Sequence, residues 1–141
     1  MEFRYQHINS AVRESLWHLV WCTKYRYKVF RKPHYKNLAD ACIRKSASMH
    51  GIEIIELRVM PEHVHLIIRL PTRLSIEQAL QILKGGSAYR FFKNAQKMRL
   101  RYPRGHLWSK GKFYTTIGYS DYPTTLNYVI NQEQHHALAG N

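Results

Sequence analysis

The feature that most constrains the fold is the apolar run at residues 64–70, which carries a His-x-His pair at its start. Successive side chains of a β-strand point to opposite faces, so a strand here places His63 and His65 side by side on one face. A run this continuously apolar is typical of a central strand that is covered on both faces. Residues 52–60 predict a preceding strand, and Pro61-Glu62 predicts the tight turn of an antiparallel hairpin.

Two histidines on one strand face form a candidate metal site, because a neutral imidazole nitrogen is a good ligand for divalent cations. The alternative is a pair of structural histidines whose hydrogen bonds are satisfied within the fold. The pair alone leaves both interpretations open, since a metal at this position needs at least one further ligand.

The remaining pattern predicts an α+β fold, an antiparallel-rich sheet with helices packed on it, in the order β-α-β-β-α-β-α. Along the chain we expect an irregular arm over 1–14, a strand over 15–23, a helix over 33–50, the two hairpin strands, a second helix from 76, a strand over 111–117 and a closing helix over 122–137. Strict alternation in the second strand puts Ile54 and Glu56 on one face. Ser75 and Gln78 predict a capping box, and the Lys84-Gly85-Gly86-Ser87 segment is expected to interrupt that helix before residues 88–100 resume it.

The charge balance favours a nucleic-acid partner. Lys and Arg total 22 against 9 Asp and Glu, which gives a formal net charge of +13 spread along the chain. The 10 tyrosines add rings on which unpaired bases can stack. Residues 24–32 alternate cations with aromatic or apolar side chains and predict either a strand extension or a basic loop. The segment is either a surface that contacts phosphates and bases or a solvated edge. A binder of anionic membranes is disfavoured, because no segment predicts a basic amphipathic helix with a strong apolar face.

Length and composition favour a single domain over residues 1–141. No apolar run is long enough to span a membrane, and the first residues lack the hydrophobic core of a signal peptide. Cys22 and Cys42 form no C-x-x-C pair and are expected to be buried thiols in a reducing compartment. We therefore expect a cytoplasmic protein.

The closing helix carries side chains that would complete a phosphoryl-transfer site. Tyr128 and Gln132 are spaced i, i+4, which places them one turn apart on the same helix face. Gln offers a carbonyl oxygen to Mg²⁺ or Mn²⁺, and the phenolic oxygen of Tyr can act as a covalent nucleophile. The alternative is a core tyrosine and a surface glutamine.

Five pieces of the sequence, in register, resemble the single-tyrosine HUH transposases of small bacterial and archaeal insertion sequences, the IS200-like family. They are residues 17–26, the His63-Val64-His65 motif after Met60-Pro61-Glu62, the Lys84-Gly85-Gly86-Ser87 segment as a turn, residues 107–109 with 113–118, and the Tyr128-x-x-x-Gln132 spacing. One departure is Tyr89, which stands before Arg90 where relatives often carry Arg.

The resemblance implies a ferredoxin-like or RRM-like HUH fold and an enzyme that cuts and rejoins single-stranded DNA. In that family a tyrosine, here Tyr128, forms a 5′-phosphotyrosine link, and His63, His65 and Gln132 hold Mg²⁺ or Mn²⁺. It further implies recognition of DNA hairpins and a homodimer in which the tyrosine helix of one subunit completes the metal site of the other. Candidate DNA contacts are Lys24, Tyr25, Arg26, Lys84, Ser87 and Arg90.

No nucleotide cofactor is expected, because a phosphotyrosine conserves the bond energy and Gly85-Gly86-Ser87 lacks the spacing of a P-loop. Three alternatives remain open at this point. One is a nickase or relaxase with the same chemistry, the second is a non-catalytic binder of single-stranded nucleic acid, and the third is a metal-storage or regulatory domain, which leaves the charge unexplained.

Overall fold

The computed structural model describes residues 15–132 of the chain. They form four strands and four α-helices, which are β1 (Leu16–Thr23), α1 (Pro33–Met49), β2 (Glu53–Val59), β3 (His63–Arg69), α2 (Ile76–Asn94), α3 (Gln96–Arg99), β4 (Trp108–Thr116) and α4 (Tyr122–Ile130). The predicted order is confirmed, with α3 as a short addition. None of these helices has the length and apolar character that a membrane crossing requires. The predicted arm over 1–14 and the end of the closing helix lie outside the described residues.

The strands form one antiparallel sheet in the order β2-β3-β1-β4. The prediction that the histidine-bearing strand is central is confirmed, and the hairpin of β2 and β3 is confirmed with it. In the register of β1 with β3, His18 lies opposite Ile67, Val20 opposite His65, and Cys22 opposite His63. Because paired residues of neighbouring strands point to the same side, this register fixes which side chains share a face with the histidines.

One face of the sheet packs against α1 and α2 and forms the main core. Its members come from alternate positions of the central strands and from the inner sides of both helices, and they include Leu19, Trp21, Val64, Leu66, Ile68, Ile43, Leu80, Leu83 and Phe91. Burial of these side chains is the main favourable term for the fold, since each fully buried aliphatic side chain contributes about 1.5–3 kcal/mol.

The opposite face carries a smaller apolar cluster and the histidines. Leu16, Ile67 and Ile117 pack there against Val129 of α4, and all four are buried. The histidines lie on the same face of the sheet, beyond this cluster along the central strands. The helix that carries Tyr128 therefore docks directly beside the histidine pair.

The glycine pair does not interrupt the second helix, and the predicted Lys-Gly-x-Ser turn is wrong. α2 runs through Gly85 and Gly86 without a break and ends at Asn94, and residues 96–99 form the separate α3. A Cβ on Gly86 would lie 2.5 Å from Oγ of Ser46 in α1, so the absence of a side chain is what lets the two helices approach. Arg90 reinforces the contact by donating to Ser46 Oγ at 2.9 Å.

Three smaller predictions also need correction. The register of β2 shifts between Ile54 and Glu56, a bulge that puts these two residues on opposite faces instead of one. β4 begins at Trp108, earlier than the predicted residue 111. Of the two alternatives for residues 24–32, the strand extension is wrong, because the segment forms two 3₁₀ turns, Lys24–Arg26 and Val29–Arg31. The capping box of α2 is confirmed, because Ser75 Oγ accepts from the Gln78 amide and the Gln78 side chain accepts from the Ser75 amide.

Candidate active site and nucleic-acid interface

His63 and His65 lie together on β3, as the i, i+2 spacing predicts. Their ring centroids are 4.9 Å apart, and the rings are tilted by 71°. His65 is only 6% exposed. The carboxylate of Glu62 accepts a hydrogen bond from Nδ1 of His63 at 2.6 Å. An ionised carboxylate can only accept, so this bond fixes the proton of a neutral His63 on Nδ1 and the lone pair on Nε2.

A third histidine, His18 of β1, belongs to the same cluster and was missed from the sequence. Its Nε2 lies 3.3 Å from Nδ1 of His65, and the two rings stack with centroids 5.5 Å apart at an interplanar angle of 19°. The antiparallel register of β1 and β3 places His18 on the same face as the His-x-His pair. Predicting this from the sequence would have required knowing that these two strands are neighbours.

The surroundings of the cluster favour the neutral form of His65 and His18. Burial, followed by the charges that His63 and His18 would carry, lowers the pKa of His65 from 6.5 to about 3. Burial also lowers the pKa of His18. A neutral imidazole is the form that binds a cation, so His65 could act as a metal ligand at neutral pH.

Tyr128 projects from α4 toward this cluster. Its ring centroid lies 5.8 Å from that of His65 and 6.4 Å from that of His18, edge to face in both cases. The tyrosine is 46% exposed, whereas its neighbour Val129 is fully buried and anchors the helix. The described chain thus brings its own tyrosine to its own histidines, with one side of the phenol open to solvent.

Gln132 lies just beyond α4 and supplies a buried oxygen. Its Oε1 has no hydrogen-bond partner among the described residues. Within residues 15–132, no group of three or more His, Cys, Asp or Glu side chains could hold a metal ion. A metal at the histidine pair would therefore need a ligand of another kind, and an unpartnered amide oxygen is of that kind.

The candidate DNA contacts of α2 are engaged inside the protein. Ser87 is 1% exposed, and its Oγ accepts from Trp108 Nε1 at 2.9 Å, so this hydroxyl is not available to DNA in the structure. Arg90 is held by the hydrogen bond that it donates to Ser46 Oγ of α1. Lys84 donates from Nζ to the carbonyl of Ser109 at 2.8 Å, and burial lowers its pKa. Lys84 also lines an open groove.

The contacts predicted after β1 lie at the surface. Tyr25 and Arg26 adopt left-handed backbone conformations, with φ of 63° and 54°, and both are exposed. Such conformations cost non-glycine residues roughly 1–2 kcal/mol each. The reversal stacks the Tyr25 ring on Tyr102, at a centroid distance of 6.2 Å and an angle of 17°, and leaves Tyr25 52% exposed. Lys24 lies over the same ring at 5.6 Å. This segment is therefore accessible, and its contact with DNA stays a prediction.

Comparison with known proteins agrees with this architecture. A family model described as Transposase IS200 like matches residues 11–132. The ISDra2 transposase TnpA of Deinococcus radiodurans is 31% identical over 116 residues, which cover 82% of this chain and 82% of that protein. A crystal structure of a Deinococcus radiodurans R1 protein described as a transposase has a TM-score of 0.65 at 31% identity and covers 83% of this chain and 89% of that one.

A second solved structure shows the same fold at lower identity. A REP-associated tyrosine transposase bound to a REP hairpin has a TM-score of 0.66 at 18% identity, covering 89% of this chain and 70% of that one. The predicted fold is confirmed by both structures. Because the family model spans most of the sequence and the 31% identity extends over four-fifths of it, the chain belongs to the IS200-like transposase family.

Proposed function

We propose that this transposase cuts and rejoins single-stranded DNA through a covalent intermediate, with Tyr128 as the nucleophile. The observation that carries the proposal is the position of Tyr128, whose ring lies 5.8 Å from that of the buried His65. Tyr128 is also 46% exposed, so a DNA strand can reach it. A phosphoryl-transfer site requires a nucleophile that is accessible and that lies beside groups able to hold a metal ion, here the imidazoles of β3.

In the cleavage step, the phenolic oxygen of Tyr128 attacks a phosphorus atom of the DNA backbone. A bond forms between phosphorus and the tyrosine oxygen, and the bond between phosphorus and the 3′ oxygen breaks. The phenol proton passes to water, and the departing 3′ oxygen takes up a proton to become a hydroxyl. Rejoining runs the same exchange in reverse with another 3′ hydroxyl, so no nucleotide is consumed.

We further propose that His63, His65 and Gln132 hold Mg²⁺ or Mn²⁺. The chain fits such an ion because burial favours the neutral form of His65 and because Gln132 Oε1 is buried without a described partner. When bound, the ion would polarise the attacked phosphate as a Lewis acid. Glu62 holds the proton of His63 on Nδ1, and His18 contacts Nδ1 of His65, so these two residues orient the ligand pair.

The substrate is proposed to be single-stranded DNA with hairpin ends. The +13 formal charge suits a phosphate backbone. One structural neighbour is bound to a REP hairpin, and the same class of substrate is proposed for this chain.

Trapping of the adduct tests the chemistry. Incubation of the protein and Mn²⁺ with a 3′-end-labelled single-stranded oligonucleotide that carries its cognate hairpin should give a label that stays on the protein in denaturing gels, because the fragment on the 3′ side of the cut is the one linked to the tyrosine. Tyr128→Phe should abolish this adduct while retaining DNA binding, and Tyr122→Phe, at the start of the same helix, is the matched control. A Tyr128→Phe variant that still forms the adduct would refute the assignment, and a wild type that binds without cleaving would favour the non-catalytic alternative. A nickase would form the adduct but no joined product.

We propose a homodimer with composite sites, in which His63 and His65 of one chain act with Tyr128 of the other. The single chain places Tyr128 beside its own histidines, so this exchange requires α4 to leave its own sheet. Gly118, at the start of the connection to α4, can absorb the backbone change that such a movement needs.

Mixed dimers distinguish the two arrangements. Combining a chain that carries His63→Ala and His65→Ala with a Tyr128→Phe chain should restore cleavage if the sites form between chains. Gln132→Ala should be rescued by the histidine-defective chain and not by the tyrosine-defective one, because Gln132 travels with the tyrosine. No recovery in either mixture would establish a site within one chain.

A further inference from the structure

A groove of about 770 Å³ runs between α2 and the segment that leads into β4. Because α2 packs on the main core, this groove lies on the helix-covered side of the sheet, whereas the histidines lie on the opposite face. None of the contacts described for the histidine cluster and Tyr128 involves a residue that lines it. The groove is therefore a separate feature of the surface.

The lining of the groove is strongly cationic. Five basic side chains border it, and among the described residues that line it none is Asp or Glu; the five are Lys84, Lys93, Arg99, Arg104 and Lys110. Lys84 and Arg99 are fixed by hydrogen bonds to the carbonyls of Ser109 and Tyr102. Lys93, Arg104 and Lys110 are exposed. Two cations are thus held in place by backbone carbonyls, and the other three border the opening and can reach phosphate oxygens.

Aromatic rings complete the groove. Tyr89 lines it and is 68% exposed, which is high for a tyrosine on a helix that otherwise packs in the core. Lys93 Nζ lies 5.9 Å from the centroid of the Tyr89 ring. Phe92, one helical turn further on, also borders the groove and packs beneath Arg99 at 5.9 Å. An exposed ring among cations is the combination by which proteins bind unpaired bases and their phosphates.

We propose that this groove binds single-stranded DNA, with an unpaired base stacked on Tyr89 and the flanking phosphates bound by Lys93 and Arg104. The inference rests on the proposed function only in taking single-stranded DNA as the substrate. On this proposal Tyr89 stacks on a base, and the DNA contacts of α2 are Tyr89 and Lys93 instead of Ser87 and Arg90. DNA held here would engage the protein at a second place, away from the strand under attack at Tyr128.

Binding of a fluorescein-labelled oligothymidylate, followed by anisotropy over a range of salt concentrations, tests the groove. All variants carry Tyr128→Phe, so that cleavage does not contribute. A Lys93→Ala/Arg104→Ala variant should bind more weakly, and the slope of log affinity against log salt should fall by about 1.4, which is about 0.7 for each phosphate that is no longer neutralised. The matched control is Lys45→Ala/Lys97→Ala, which removes two exposed cations outside the groove.

Tyr89 provides a second, charge-independent test. Tyr89→Ala should weaken binding roughly tenfold without changing the salt slope, and Tyr89→Phe should keep the wild-type affinity, because stacking needs only the ring. Equal affinity and salt slope for the groove double variant and its control, or unchanged binding by Tyr89→Ala, would overturn the proposal. These outcomes concern binding alone, whereas failure of the proposed function would appear as a wild type that forms no covalent adduct.

Discussion

Acidification should destabilise the metal-free protein through His65. Burial and then the neighbouring histidine charges lower the pKa of this side chain to about 3, against the ordinary value of 6.5 that the unfolded chain retains. Between these two values the unfolded state binds more protons than the folded state. The free energy of unfolding therefore falls as the pH drops below about 6.5, and the loss is complete only below about pH 3. Integrated from about pH 7 to pH 5, the shift removes about 2 kcal/mol.

Urea unfolding in EDTA, followed by tryptophan fluorescence at the two pH values, measures this loss. His65→Gln removes the titrating group and should lose about 2 kcal/mol less between pH 7 and pH 5 than the wild type does. His34→Gln, an exposed position on α1, is the matched control and should keep the wild-type pH dependence. If His65→Gln shows the same loss as the wild type, the buried imidazole is not the cause and the reasoning fails.

Three further predictions concern packing. Gly86→Ala should lower the free energy of unfolding by about 1–3 kcal/mol, because its Cβ would clash with a hydroxyl of α1. Gly85→Ala meets nothing within 4 Å and should raise the free energy of unfolding by about 0.5–1 kcal/mol. Chemical denaturation of the two variants measures both changes. Ser87→Ala should cost about 1–3 kcal/mol by leaving Trp108 Nε1 unpaired, with unchanged affinity for single-stranded DNA, and a binding defect without a stability defect would contradict this. Val129→Ala should cost about 2 kcal/mol and reduce adduct formation, and a normal yield would show that docking of α4 does not position Tyr128.

Elements that depend on nearby residues were predictable from the sequence. The hairpin of β2 and β3 follows from two strand patterns joined by two turn residues, and the start of α2 follows from its capping box. The side-by-side placement of His63 and His65 follows from strand geometry alone. In each case the determining interaction spans only a few residues, so no knowledge of the tertiary structure was needed.

Features that depend on distant partners were not predictable. Two adjacent glycines weaken an isolated helix, but Gly86 lies against Ser46, 40 positions earlier, and the close packing keeps the helix intact. Ser87 was a candidate DNA contact through the family resemblance, but its hydroxyl is buried against Trp108. His18 joins the site only because β1 pairs with β3. The basic groove was not predicted for the same reason, since α2 and the segment before β4 meet only in the folded chain.

The histidines and Tyr128 of the candidate site lie on elements that should unfold at different free-energy costs. The histidines sit on β1 and β3, whose amides are paired to strands on both sides, so their hydrogen exchange should require global unfolding. Tyr128 sits on a helix held mainly by the small cluster around Val129, so the amides of α4 should exchange through local opening. In a native-state exchange experiment, protection would then differ between the strands of the histidine pair and the helix of Tyr128. The chain would keep the geometry of the two histidines constant for as long as it is folded, while the position of Tyr128 would fluctuate independently.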